Sequence, residues 1–178
     1  MTRLWAKGTF SGRYRPQGAL EQAEAVVIPE FATPPFERVG DVNTALAAFA
    51  LYEKTFWCLP IVTNSRSANA IRQLEPDFPI YHEFSSVSSD MIGRGTGTYG
   101  ELMQVRDLGI KNPLIIAHAH HVGRVALQAK KLGMDPVVPE GLPRMFEKDS
   151  SQPWTRSPGL WAIRELLGAP VLYLRGQL

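Results

Sequence analysis

The sequence predicts an α/β fold, a Rossmann-like three-layer sandwich with a mostly parallel sheet of five to six strands. Three observations predict it. Short apolar runs alternate with segments whose apolar residues recur at helical spacing, which is the signature of βα units. Polar residues collect immediately after those runs, where ligands bind in open parallel sheets. No segment repeats at a period of 20 to 50 residues, and none is of low complexity.

The elements follow in order. Residues 1–22, with Gly8, Gly12, Pro16 and Gly18, read as an irregular N-terminal arm, and 23–178 as a single domain. Arg13-Tyr14-Arg15 in the arm either lines a site or forms a solvated surface. Ala25–Ile28 is a buried strand ended by Pro29, and Pro34 and Pro35 keep the next segment extended. Asp41 or Asn43 caps a helix through Lys54, in which Val42, Leu46, Phe49 and Ala50 share a face. A second strand at 59–63 precedes a polar turn at 64–67 and a helix at 68–74. The third strand, at 78–84, opens into a long polar loop through Gly97, of the kind that serves as a ligand loop or mobile cover.

Thr98 then caps a helix to Leu108, closed by Gly109. A fourth strand at 114–117 and a helix at 122–132 follow, and an edge-like strand is expected at 136–139. A second long loop occupies 141–154, where Trp154 and Met145 are candidates for a pocket wall. The last helix is expected at 157–167, its Leu160, Trp161, Ile163, Leu166 and Leu167 facing the core, and the last strand at 170–174.

Composition narrows the function classes. Nineteen basic and seventeen acidic residues give a net charge of +2, which does not suggest a nucleic-acid partner. Arginine outnumbers lysine thirteen to six, favouring an anionic ligand because guanidinium matches carboxylate and phosphate geometry. No apolar run approaches the roughly 20 residues that span a bilayer, and the N-terminus lacks a signal-peptide pattern, so the expectation is a soluble, cytoplasmic protein without a membrane partner. Cys58, the single cysteine, is expected to pack in a buried apolar setting. Oligomerisation is left open.

The chemistry concentrates in residues 115–124, IIAHAHHVGR, which hold three of the four histidines. His118 and His120 share one side of the chain by strand alternation, and His121 opens the next helix. Three readings stand: imidazoles acting as acid or base near neutral pH, a metal site completed by His82 or Glu83, or structural hydrogen bonding. Lacking HExxH or CxxC patterns, the metal reading is the weaker one, and so is a metal-dependent hydrolase. Arg124, three residues after His121, falls on the same helix face, where an anion would meet both side chains and free backbone N–H groups. GTGTYG at 95–100 matches GxGxxG, but it lies in the third βα unit, so anion binding or a simple capped turn competes with dinucleotide binding. None of the serines 65, 85, 86, 88 and 89 sits in a GxSxG elbow.

With those residues in place, roughly residues 59–175 resemble the bacterial domain family of unresolved function that includes SanA, ElyC and YdcF (DUF218-type). IAHAHHVGRV at 116–125 is similar to the family's VTSAYHMPRA, with His121 and Arg124 on its histidine and arginine. Glu83, Ser86 and Thr98-Tyr99-Gly100-Glu101 stand where the family has a glutamate, serines and TYENA. Thr63-Asn64-Ser65 resembles its SGG-like turn and Arg164-Glu165 its RE pair, whereas His118 and His120 replace serine and tyrosine and Pro29-Glu30-Phe31 replaces a glycine-rich turn. The resemblance implies a Rossmann-like domain with a strand-end pocket, linked to envelope functions or to a nucleotide-like cofactor such as S-adenosylmethionine.

The combined expectation is an enzyme acting on a small polar, anionic or nucleotide-like metabolite. Its catalytic candidates are His118, His120, His121 and Glu83. Its ligand-binding candidates are Arg124, Asn64, Ser65, Ser86, Thr98 and Glu30. The alternative is a non-catalytic nucleotide- or S-adenosylmethionine-binding, or envelope-related, regulatory module.

Overall fold

The structure, a computed structural model, describes residues 19–31, 39–52, 58–84 and 97–178. It is an α/β fold with a parallel four-stranded sheet flanked by helices. The chain runs β1 (Ala25–Ile28), α1 (Asp41–Tyr52), β2 (Ile61–Thr63), α2 (Ser65–Leu74), β3 (Ile80–Glu83), α3 (Thr98–Asp107), β4 (Pro113–Ile115), α4 (Val122–Lys131) and α5 (Pro158–Leu174). Strand order is β3-β2-β1-β4, with Val26 opposite Ile61 and Leu114, and Thr63 opposite Glu83. β1, β2 and β4 are buried throughout, as expected of strands covered on both faces. The core joins them to apolar residues of the helices, including Leu46, Ile71, Leu102 and Val125.

This order decides where a ligand can enter. The chain moves outward from β1 through β2 to β3 and then returns to the other side of β1, so the direction of winding reverses between β1 and β4. A crevice opens at such a reversal, beyond the carboxyl ends of the two strands. α1 packs beside α2 and α3 beside α4, as expected when the reversal in winding places the first pair on one face of the sheet and the second on the other.

Several expectations are corrected. Asn64 to Ser67 is not a turn: the Asn64 side chain caps α2, accepting from Ser67 N–H at 2.9 Å, while its Nδ2 donates to the Ile28 carbonyl at 3.2 Å. α3 is capped by Gly97 at φ 64°, a conformation suited to glycine, and Thr98 is its first residue. The sheet has four strands among the described residues, not five or six. Residues 136–139 give only a single parallel bridge, Val137 to Leu114, because the prolines on either side carry no N–H to extend the ladder.

Residues 170–174 are not a strand but the end of α5. A short apolar run does not by itself distinguish a strand from a helical segment, and this one carries a single β-branched residue, Val171. α5 instead starts from a firm N-terminus, with Ser157 accepting from Leu160 N–H at 3.3 Å and Pro158 in the first turn, and continues through Pro170. The core assignment in this helix fails for Leu160, Ile163, Leu166 and Leu167, which are exposed; only Trp161 is buried. Cys58 is exposed rather than packed away. The first part of the arm, residues 1–18 with Arg13-Tyr14-Arg15, and the loop segment 85–96 with Ser86, lie outside the described residues. No described helix is long and apolar enough to cross a membrane.

Candidate functional site

A cleft of about 180 Å³ opens beyond β1 and β4. Its floor is Glu30 and Phe31 from the end of β1, its sides are Thr98 at the start of α3 and His121 and Arg124 at the start of α4, and its outer wall comes from α5 and the residues after it. Two helix N-termini therefore converge on one space, each presenting N–H groups and a partial positive charge.

His121 links them. It is buried, its Nδ1 lies 3.1 Å from Arg124 Nη2, and its Nε2 lies 3.2 Å from Thr98 Oγ1. A guanidinium only donates, so Nδ1 must accept and the proton must sit on Nε2, which donates to Thr98. Burial, reinforced by the positive charges of Arg124 and Arg164, holds the imidazole well below its ordinary pKa and keeps it neutral. Both nitrogens are thus engaged. Thr98 Oγ1, having accepted, keeps its own hydrogen to donate elsewhere.

Arg124 is gripped from two further directions. Its Nε lies 3.2 Å from Glu165 Oε1 in an ion pair, and its guanidinium sits 5.9 Å from the Trp161 ring centre. Burial, together with Arg164, lowers its pKa to about 10 against the pull of Glu165, which leaves it charged at neutral pH. Arg164 pairs with the same Glu165 and lies 4.8 Å over Trp161 and 5.8 Å from Trp154. Trp161 is itself pinned, donating from Nε1 to the His120 carbonyl at 3.1 Å. Arg175 and Gln177 complete the wall.

Beneath the floor lies Glu101, buried in the first turn of α3, whose two oxygens accept from the Glu30 N–H at 3.2 and 3.1 Å. Burial pushes its pKa up to about 8, outweighing that N–H, and the Glu30 charge pushes the same way. The Glu30 carboxylate is paired with Arg66 on α2.

The structure gathers some of the predicted residues and disperses others. Glu30, Thr98, His121 and Arg124 line the cleft, as does Trp154 but not Met145. His118 does not: it is buried behind Phe31, stacked on that ring at 4.0 Å, with Nδ1 accepting from His120 N–H at 3.2 Å. Its Nε2 makes no well-formed hydrogen bond. Burial, with His120 adding to it, lowers its pKa to about 4, and the nearby backbone of Arg144 and Met145 recovers only part of that. His120 is exposed beside it, ring to ring at 5.3 Å, and its pKa is lowered by partial burial and by Arg144.

Glu83 and His82 sit on β3, three strands from β4 and therefore roughly 14 Å away at normal strand spacing. Glu83 pairs with Arg72 of α2. Asn64 is occupied by its cap and Ser65 is exposed in the first turn of α2. Among the described residues no three His, Cys, Asp or Glu side chains converge in a way that could hold a metal ion.

Trp161, Arg164, Arg175, Gln177 and Glu101 are among the residues at the site that the sequence did not single out. A signal existed for two of them. Arg164 stands in the Arg164-Glu165 pair and Glu101 in TYGE, both within the segments of family resemblance. Trp161 read as core, and it is indeed buried while presenting an edge to the cleft. Arg175 and Gln177 carried no signal, because a helix running to 174 was required to bring them back. Comparison of the chain with family models, with curated proteins and with solved structures finds no match.

Proposed function

We propose that this chain binds a small anionic metabolite, bearing phosphate or carboxylate, in the cleft between the ends of β1 and β4. One observation carries the reading. Three guanidinium groups, Arg124, Arg164 and Arg175, face a space whose single lining carboxylate among the described residues, Glu30, is engaged with Arg66. Arg124 is held by His121 and Glu165 before any ligand arrives, so little side-chain freedom is lost on binding. The aromatic walls, Trp154 and Trp161, suit a ligand with a planar part, which keeps an anionic nucleotide within the proposal; S-adenosylmethionine, whose sulfonium and ammonium outweigh its one carboxylate, suits three guanidinium groups less well. We extend the proposal to a Rossmann-like three-layer domain of the DUF218 type, supported by the contact between His121 and Arg124.

An enzymatic role is the second reading, favoured by the Thr98 hydroxyl. Its remaining hydrogen, on the opposite side of the His121 ring from Arg124, is available to stabilise charge developing on a carbonyl or phosphoryl oxygen. His121 then positions Arg124 and Thr98 and exchanges no proton itself. Titration calorimetry with inorganic phosphate, and with citrate as a carboxylate probe, tests binding: the wild type is expected to bind at least one, and Arg124→Gln with Arg164→Gln to weaken it at least tenfold. Equal affinity in wild type and double variant would remove the cleft from the proposal.

A further inference from the structure

The outer face of α5 is apolar along its whole length. Leu160, Ile163, Leu167, Val171 and Leu174 recur at intervals of three and four and occupy a stripe about 80° wide on a 3.6-residue helix. All five are exposed, Leu167 at 68% and Leu174 at 84%; Leu166 at 76% and Tyr173 at 72% widen the stripe on one flank. The helix has two charged residues, Arg164 and Glu165, which pair with each other, and Arg164 lines the cleft while Glu165 reaches Arg124 beside it. Nothing among the described residues covers the stripe.

We infer that the stripe is the interface of a homodimer, in which α5 packs on α5 of a second copy around a two-fold axis. The area fits: at these exposures the seven side chains offer on the order of 800 Å² per chain, what each partner contributes to a standard interface, and more than monomers usually leave bare. The absence of charge selects the occupant. The stripe itself carries no charge, and the two arginines on one of its flanks, Arg164 and Arg175, line the cleft, with Arg164 paired to Glu165, whereas a charged protein partner or an anionic membrane surface would be recognised through charges on the stripe or along both of its borders. A second copy needs no such charges, because an apolar stripe spaced by three, four, four and three residues can pack on its own copy across a two-fold axis. The pairing also accounts for the helix. A 17-residue segment with one buried side chain gains little from its own domain, and helices in proteins depend on packing of an apolar face.

The interface does not depend on what the cleft binds. Sedimentation velocity from 1 to 100 µM tests it on the full chain: the wild type is expected at twice its 19.8 kDa mass. Ile163→Glu with Leu167→Glu is expected to sediment as a monomer with unchanged far-ultraviolet circular dichroism. A wild type that stays monomeric throughout, or partitions as monomer onto neutral phosphatidylcholine vesicles, overturns the inference, as does a variant that remains dimeric. If the double variant loses its helical signal, hydrogen exchange of wild-type α5 decides: protection rising with protein concentration supports the dimer, and concentration-independent exchange overturns it.

Discussion

A neutral imidazole with both nitrogens engaged behaves as a fixed connector. Nδ1 of His121 accepts from Arg124, Nε2–H donates to Thr98, and the ring lies in T-shaped contact with Trp161 at 5.3 Å. The residue that invited an acid–base role is thereby the one least able to exchange a proton. Thr98 tests the assignment more cleanly than His121 does, since replacing the imidazole also opens a cavity. Thr98→Val keeps the shape but leaves a buried N–H without an acceptor, which should cost about 1 to 3 kcal/mol in denaturant unfolding, while Thr98→Ser should stay within about 1 kcal/mol of wild type. Equal stability of the Val and Ser variants would show that the contact contributes nothing. The amide of Asn64 is a similar connector between β1, β2 and α2, because it caps the helix and also satisfies the Ile28 carbonyl. Asn64→Asp retains the acceptor and loses the donor, so it should fall between wild type and Asn64→Ala, the latter costing about 2 kcal/mol by thermal or chemical denaturation.

Among the elements, α5 has two different faces. One side supplies Trp161, Arg164 and Leu172 to the cleft, the other is bare apolar surface, and the helix is weakened internally by Gly168 and Pro170. A methyl group built on Gly168 meets no atom within 4 Å, and its backbone is helical, so Gly168→Ala should raise stability by about 1 kcal/mol through the lost freedom of the unfolded chain. Denaturant titration at fixed protein concentration measures this, and no gain would mean that α5 contributes no cooperative stability. The same helix shows how far element assignment from sequence reaches. Runs such as Ala25–Ile28 were legible because they are short, β-branched and bounded by proline or polar residues. The run at 170–174 was not, since its apolar residues fit either period and only the uninterrupted helix before it decides.

For the molecule as a whole, chain order along the sequence was legible and strand adjacency was not. Parallel strands with helical crossovers could be read from alternation, and strand-end polar residues from the same pattern. The order β3-β2-β1-β4 then separates Glu83 and His82 from His121, and folds the C-terminal Arg175 onto a cleft begun some 145 residues earlier by Glu30. Burial of ionisable groups at that junction sets a pH dependence with two opposing limbs. His118 has a folded pKa of about 4 against 6.5 unfolded, and His121 is likewise held well below its ordinary value, first by desolvation. As pH falls below about 6.5 the unfolded chain takes up protons that the native imidazoles refuse, so stability is lost on acidification until about pH 4 for His118. Glu101 acts with the opposite sign. Its folded pKa of about 8 exceeds its ordinary 4.5, so between these values the native state holds the extra proton, and stability falls as pH rises until about 8. Where one limb gives way to the other, near pH 6.5, the native and unfolded states bind equal numbers of these protons and stability should be greatest. On the acid side these two imidazoles outweigh one carboxyl, which leaves a slope of about 1.4 kcal/mol per pH unit for one net proton, and His120, lowered by partial burial and Arg144, adds to it in the same direction. Chemical denaturation from pH 4.5 to 9 should therefore trace a dome for the wild type, and Glu101→Gln should flatten its alkaline side and steepen its acid side to about 2.8 kcal/mol per pH unit, because the opposing carboxyl is gone. The readout is the shape of the curve, which a uniform loss of stability in the variant does not alter. A variant that keeps the alkaline decline would transfer it from Glu101 to another group.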